Sequence, residues 1–194
     1  GNNRLIAVRE DHTTGAAEAV NSIGTIPLDG SHNGAVLAGG HDFYATPRVS
    51  PDGTQLAWLS WDHPNMPWDG CELWVGEFLP DGSLGKQRLV AGGPSESIFQ
   101  PIWSPNGTLY FTSDRTGFWN IYRETASGPQ IVLEKPIEYG KPLWVFSIST
   151  FGFLDERRIL ASSFADGKWG LSIIAVETGD EHVWRVAVAP HEVE

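Results

Sequence analysis

The sequence has a single cysteine, Cys71, and a single methionine, Met66, among 194 residues. One thiol cannot close an internal disulfide, and no CxxC or paired Cys/His spacing offers a zinc site. Positive charge is also scarce, with 13 Lys and Arg against 24 Asp and Glu and a net charge of -11. Such a chain repels phosphate backbones, which argues against nucleic acid as a partner. The same charge is ordinary for a cytoplasmic protein, the compartment expected here. No apolar run approaches the ~18 residues of a membrane span, so no membrane partner is expected. The opening residues, "GNNRLIAVRED", have neither the length nor the polarity order of a signal peptide. They begin abruptly on a strand-like run, as a piece excised from a longer protein would. No segment reads as a convincing helix or as a low-complexity linker.

What is plentiful is punctuation. Gly (22) and Pro (13) break the chain into short apolar runs, and tryptophan reaches nine. That pattern predicts an all-β sandwich, barrel or propeller, and the length suits one domain with a real core. Internal repetition narrows the choice. Pro47, Ser50, Pro51, Gly53 and Thr54 of "PRVSPDGTQLAWLS" recur as Pro101, Ser104, Pro105, Gly107 and Thr108 of "PIWSPNGTLYFTSD", a spacing of 54. A Gly pair precedes each copy, and a second strand, "ELWVGEF" or "WNIYRE", follows it. A degraded third copy, "RILASSFADGKWGLSIIAV", keeps Ser163 and Trp169, each 50 residues after Ser113 and Trp119. The stretch from Arg4 to Ala38 reads as the last three strands of a unit whose first strand is missing.

Each unit therefore reads strand, DG-type turn, strand, variable loop, strand, turn, strand. Asp/Asn-Gly is a strong hairpin signal, because Gly adopts the left-handed turn geometry without steric cost. Four strands at a period of ~50 residues are the mark of β-propeller blades. The expected fold is all-β: a partial β-propeller of about four blades of four antiparallel strands, the first incomplete. The blades are expected at approximately 1–38, 39–91, 92–134 and 135–190. Their inner strands are expected near "TPRVS", "QPIWS" and "LWVFSIS". Trp58, Trp74, Trp103, Trp119 and Trp169 fall at strand positions and are expected to pack blade on blade. Open blade edges at both ends also predict self-association of the chain.

One stretch departs from the repeat, "SWDHPNMPWDGCELWV" from Ser60 to Val75. Ser60 to Leu73 is 13 positions where Ser113 to Ile121 is 8, an insertion of about five residues stiffened by Pro64 and Pro67. Strand order puts this loop on the same side of the disc as the blade-to-blade connections "GGHDFY" and "GGPSESIF". Trp61 and Trp68 flank it where no alternation assigns them to a core. Length, rigidity and aromatics point to a contact surface built from Trp61, Asp62, His63, Asn65, Met66, Trp68 and Asp69. The competing reading is that the two tryptophans merely cover the top of their own blade. Asp62, His63, Asp69 and Glu72 have metal-ligand chemistry but no recurring ligand interval, so neither a metal nor another cofactor is expected. No G-x-S-x-G elbow exists, and no His has a local Ser or Cys to serve as base for. The chain by itself is expected to carry no catalytic residues. Gly40-His41 and Trp61-Asp62 imitate WD-repeat dipeptides, but in the wrong strand and only once.

"SPDGTQLAWLSWDHPNMPWDGCELWV", "RLVAGGPSESIFQPIWSPNGTLYFTSDRTGFWNIYR" and "RLIAVREDHTTGAAEAVNSIGTIPLDG" together resemble the N-terminal propeller of bacterial prolyl oligopeptidase-family serine peptidases. The acylaminoacyl-peptidase or dipeptidyl-aminopeptidase-like branch is the nearest. SPDGT is shared with TolB-like propellers; the WDHPNMPWDG loop in frame with it is more specific. The resemblance implies a propeller that caps and gates an α/β-hydrolase domain, with that domain and a peptide substrate as partners. The hydrolase domain is missing from this chain, so the family's catalytic residues map onto no position here. In related dipeptidyl peptidases, blade connections can supply acidic residues that hold a substrate's amino terminus. By location, the resemblance points to Glu96 first and Asp42 second for such a role. The alternative is a stand-alone TolB-like propeller that serves as a protein- or ligand-binding scaffold.

Overall fold

The structure is a computed structural model that describes residues 3–184 apart from 14 and 16. Fifteen strands form it in chain order: β1 (Arg4–Asp11), β2 (Val20–Pro27), β3 (Ala35–Ala38), β4 (Phe43–Val49), β5 (Gln55–Trp61), β6 (Glu72–Phe78), β7 (Leu84–Gly92), β8 (Ile98–Trp103), β9 (Leu109–Ser113), β10 (Asn120–Thr125), β11 (Gly128–Leu133), β12 (Phe151–Asp155), β13 (Arg158–Ala165), β14 (Lys168–Ala175) and β15 (Glu181–Trp184). There is no helix among the described residues. Each run of consecutive strands makes one antiparallel meander: β1–β3 a three-stranded sheet, then β4–β7, β8–β11 and β12–β15 as four-stranded sheets. The result is an open arc of propeller blades with the first blade one strand short, as the repeat predicts.

The repeated turn explains why the copies fold alike. Ser50 N–H donates to Gln55 O at 2.9 Å, while its hydroxyl donates to Asp52 Oδ1 at 2.6 Å and accepts from Gln55 N–H. Ser104 does the same with Thr108 O, Asn106 Oδ1 and Thr108 N–H. Gly53 and Gly107 sit at φ 74° and 84°, where a side chain would be strained. In the last blade the corresponding turn, between β12 and β13, is shorter: Asp155 pairs with Arg158 across Glu156 and Arg157. The next turn, between β13 and β14, is a two-residue hairpin of the primed type at Asp166 (φ 48°) and Gly167 (φ 73°).

The core lies between the sheets. Ile23, Leu56 and Trp58 join the first two blades, Leu73, Phe99 and Phe111 the second and third, and Tyr110, Ile159 and Ile174 the third and fourth. Strand β5 is buried at all but its ends, and β9 throughout, as expected of strands packed on both faces. Gln100 stitches the last two blades: its amide donates to Phe151 O at 2.6 Å and accepts from Thr150 N–H at 2.6 Å. The outer faces of the end blades leave Leu5, Ile26 and Val36, and Leu160, Trp169 and Leu171, exposed.

Two expectations need correcting. "LWVFSIS" is not a strand, and the inner strand of the last blade is β12, "FGFLD". A short apolar run cannot be told from a strand by periodicity alone. Here its apolar residues serve other contacts: Leu143 is buried beside the second and third blades, with Ile148 packed on it. Trp169 is 51% exposed against Phe164, because no further blade covers β14 among the described residues. Residues 185–190 of the expected fourth unit lie outside the described residues.

Candidate functional site

The insertion between β5 and β6 is held by a reciprocal clasp. Asp62 Oδ1 accepts the Asp42 backbone N–H at 2.7 Å, and Asp62 Oδ2 lies 2.8 Å from His41 Nδ1. In return Asp42 Oδ2 accepts the His63 backbone N–H at 2.9 Å and lies 3.0 Å from His63 Nδ1. The backbone bond from His63, and then its ring, hold the Asp42 carboxyl below the usual carboxylate range. Pairs of adjacent residues, His41-Asp42 and Asp62-His63, thus exchange partners across the β3–β4 connection and the loop.

Farther along, the loop leans on the connection between β7 and β8. Asn65 Nδ2 donates to Pro94 O at 2.9 Å, Ser97 Oγ donates to Pro67 O at 2.9 Å, and Cys71 N–H donates to Glu96 O at 3.0 Å. A Cβ on Gly70 would sit 2.5 Å from the Pro94 carbonyl carbon, so only glycine allows the two backbones this close. Asp69 Oδ2 accepts the Met66 N–H at 2.9 Å and closes the loop's own turn. Burial pushes the Cys71 thiol up to about 12, which makes it an inert packing group.

One face of the loop opens on a cleft of about 850 Å³. Its walls come from the β1–β2 connection, the start of β4, the β5–β6 loop and residues 143–146. Trp61 stacks on Phe43 with centroids 5.5 Å apart, His63 meets the Phe43 edge at 4.9 Å, and Trp68 lies 4.2 Å from Trp144. The segment mistaken for a strand therefore forms a wall, with Trp144 69% and Phe146 57% exposed. Among the described residues, two carboxylates reach the cleft, Glu10 and Glu18, and no Lys or Arg does. His12 Nε2 stands 3.4 Å from Glu10 Oε2 and His63 Nε2 4.0 Å from Glu18 Oε2.

The residues singled out from the sequence thus separate into three groups. Trp61, His63, Met66 and Trp68 line the cleft. Asp42, Asp62, Asn65 and Asp69 spend their polar atoms on holding the loop. Glu96 stands apart: its Oε1 accepts Ser113 Oγ at 2.6 Å and Arg115 Nε and Nη2 at 2.9 and 2.7 Å. Glu10, Glu18, Trp144 and Phe146 were not singled out. The first two had a readable signal, since β1–β2 is the same connection in the first blade as β5–β6 is in the second. Trp144 and Phe146 had none, because their run imitates a strand.

Among the described residues the cleft is lined mainly by aromatic and apolar side chains, a composition suited to binding. Among the described residues no three His, Cys, Asp or Glu side chains converge to hold a metal ion.

No protein-family model and no curated protein matches the sequence. Solved structures do. A puromycin hydrolase mutant complexed with PGG superposes with a TM-score of 0.86 at 32% identity, over 94% of this chain and 29% of that one. A puromycin-hydrolyzing peptidase of Mycobacterium tuberculosis gives 0.82 at 32% identity, over 97% and 30%. A prolyl endopeptidase at 14% identity and a TM-score of 0.65, over 96% and 26%, shares the fold alone. The chain spans about three-tenths of the length of the puromycin-hydrolyzing relatives. An open arc of antiparallel blades, alike over nearly its whole length to these peptidases, identifies the chain as a propeller domain of the prolyl oligopeptidase family.

Proposed function

We propose that the chain is the non-catalytic propeller part of a cytoplasmic serine peptidase, capping an α/β-hydrolase domain and gating its peptide substrates. The observation that carries this reading is the likeness at 32–34% identity to puromycin-hydrolyzing enzymes of which the chain spans only about three-tenths. The acylaminoacyl-peptidase-like branch is the specific placement we favour. The β5–β6 loop is then the recognition lip. It is anchored to two blade connections by the clasp and by Asn65, and it presents Trp61, His63, Met66 and Trp68 to whatever the cleft admits. Glu96 and Asp42 remain the acidic candidates named by location, each already partnered within the propeller. The exposed apolar faces of the end blades make self-association of the isolated chain an expected accompaniment, measurable by light scattering.

The reading is tested in a full-length protein containing this chain and a downstream hydrolase domain. Trp68→Ala is expected to lower kcat/KM for aminoacyl and peptide chromogenic substrates, and Glu96→Gln to raise KM. The 194-residue chain alone should neither turn over these substrates nor take up a serine-directed phosphonate. Unchanged kcat/KM and domain association in both variants, with lowered stability, would make the loop purely structural. A gene product with no hydrolase domain would leave a stand-alone scaffold as the reading.

A further inference from the structure

The connection between β2 and β3 carries a small reactive arrangement that takes no part in the cleft. Asn-Gly occurs twice in the sequence, at Asn33-Gly34 and at Asn106-Gly107. Glycine leaves its own amide nitrogen open to attack the preceding carboxamide, because no side chain shields it. The two sites differ in what holds them. At the second, Asn106 Oδ1 accepts Ser104 Oγ at 2.6 Å, and Gly107 N–H donates to Ser104 O at 2.9 Å. Both reacting groups are tied into the blade turn, and a carbonyl oxygen accepts the bond but not the proton. At the first, Asn33 is exposed, and no hydrogen bond holds its carboxamide among the described residues. Gly34 N–H donates instead to His32 Nδ1 at 3.0 Å. A neutral imidazole can take a proton near neutral pH, and 3.0 Å is within reach for a general base. Gly34 itself is fixed: Ala35 pairs with Thr25, and a Cβ on Gly34 would lie 2.3 Å from Thr25 O. The nitrogen is therefore held beside its base, while the carboxamide is free to turn toward it.

We propose that Asn33-Gly34 is a self-modification site, at which His32 acts as general base for deamidation. His32 Nδ1 takes the Gly34 amide proton, and the Gly34 nitrogen forms a bond to Asn33 Cγ. The bond from Cγ to the side-chain nitrogen then breaks, and that nitrogen leaves as ammonia with the proton returned from His32. The cyclic imide that remains adds one water at either carbonyl. The product at position 33 is an aspartyl or an isoaspartyl residue, so one neutral amide becomes one carboxylate. Water is the only co-reactant. The isoaspartyl link adds a methylene to the backbone beside Thr25 O, where a Cβ on Gly34 already has no room. It therefore loosens the β2–β3 pairing in the blade that is one strand short. In a meander this turn emerges on the side opposite the β1–β2 connection, away from the cleft. The inference is independent of the proposed function.

The 194-residue chain is incubated near neutral pH at physiological temperature, in a buffer free of imidazole, and then digested. Mass spectrometry follows the two Asn-Gly peptides, and an isoaspartyl methyltransferase with labelled S-adenosylmethionine counts the isomerised product. In the folded chain Asn33 is expected to convert about tenfold or more faster than Asn106. His32→Gln keeps an acceptor for the Gly34 N–H but removes the base. It should slow Asn33 by about tenfold or more and leave Asn106 unchanged. His32→Ala should slow Asn33 likewise and regain part of the rate when free imidazole is added. In concentrated urea, where the fold no longer positions His32, the two sites should convert at similar rates. His32 is exposed, so both variants should melt as the parent does. Any one of four results would overturn the proposal: Asn33 no faster than Asn106 in the folded chain, His32→Gln converting at the parent rate, no rescue by imidazole, or a difference between the sites that persists in urea.

Discussion

The β5–β6 and β9–β10 connections occupy the same place in successive blades and do different things. Ser60 pairs with Glu72 across the first, and Ser113 with Asn120 across the second, so the flanking ladders are equivalent. The shorter connection turns through Gly117 (φ 89°) and is bonded to the connections on both sides, Asp114 to Ser97 and Trp119 to Glu138 and Tyr139. The longer one is bonded to both flanking connections in the same way and, in addition, forms a wall of the cleft. Five added residues on an unchanged pair of strands are enough to give a tight link one wall of a cleft. The strands carry the buried core and the loop lines the cleft, a division usual where rigid sheets present loops.

The largest expected effect tests the equivalence of the ladders. Leu73→Ala and Ile121→Ala each remove a fully buried side chain one residue inside the two connections. Each should cost about 3 kcal/mol in urea unfolding. A gap of more than about 2 kcal/mol between them would break the comparison.

Next come the glycines. Gly70→Ala drives a methyl into the backbone of Gly93 and Pro94, with contacts of 2.5–2.6 Å, and should cost about 2–3 kcal/mol. Gly117→Ala meets nothing within 4 Å and should cost only about 1 kcal/mol, through its left-handed φ. Equal costs would mean that the long loop is not wedged against the β7–β8 connection.

The carboxylates that tie the two connections to their neighbours, Asp42 bonded to the β5–β6 loop and Asp114 of β9–β10, should also respond oppositely to pH. Asp42 is depressed in the fold, so its contribution is present above the ordinary value of 3.8 and is lost as pH falls through its lower folded value. Asp114 is raised, chiefly by burial, so the fold prefers its protonated form and loses stability as pH rises through that raised value. Asp42→Asn is therefore expected to lower the melting temperature at pH 7, and Asp114→Asn to raise it. Both differences should vanish in strong acid, and the same sign for both at pH 7 would contradict this account. The smallest expected change in stability is that of Trp144→Ala, within about 0.5 kcal/mol because the side chain is 69% exposed. Hydrogen exchange should show whether the tryptophan instead orders the Trp68 side of the loop.

Much of this molecule was legible without coordinates, and the legible parts share a cause. The SPDGT and SPNGT turns, the Asp166-Gly167 hairpin and the alternation of strands are decided within a few residues by backbone sterics and local hydrogen bonds. Repetition of such local decisions at a near-constant period was enough to specify blades, their order and the incomplete first one. The length of the β5–β6 insertion and the side of the disc it emerges on followed from the same count. What the sequence did not settle were contacts between residues far apart. The run from Leu143 to Ile148 has a strand's composition, yet packing on Trp68 and on the core between the second and third blades draws it out of the sheet. Trp169 has a core residue's place in the repeat and an exposed side chain, because burial depends on the neighbouring blade. The crossed pairing of His41-Asp42 with Asp62-His63, and the meeting of Glu10 and Glu18 with three tryptophans, join four separate connections. Local chemistry chose the blades; only their packing in space decided which side chains would share a cleft.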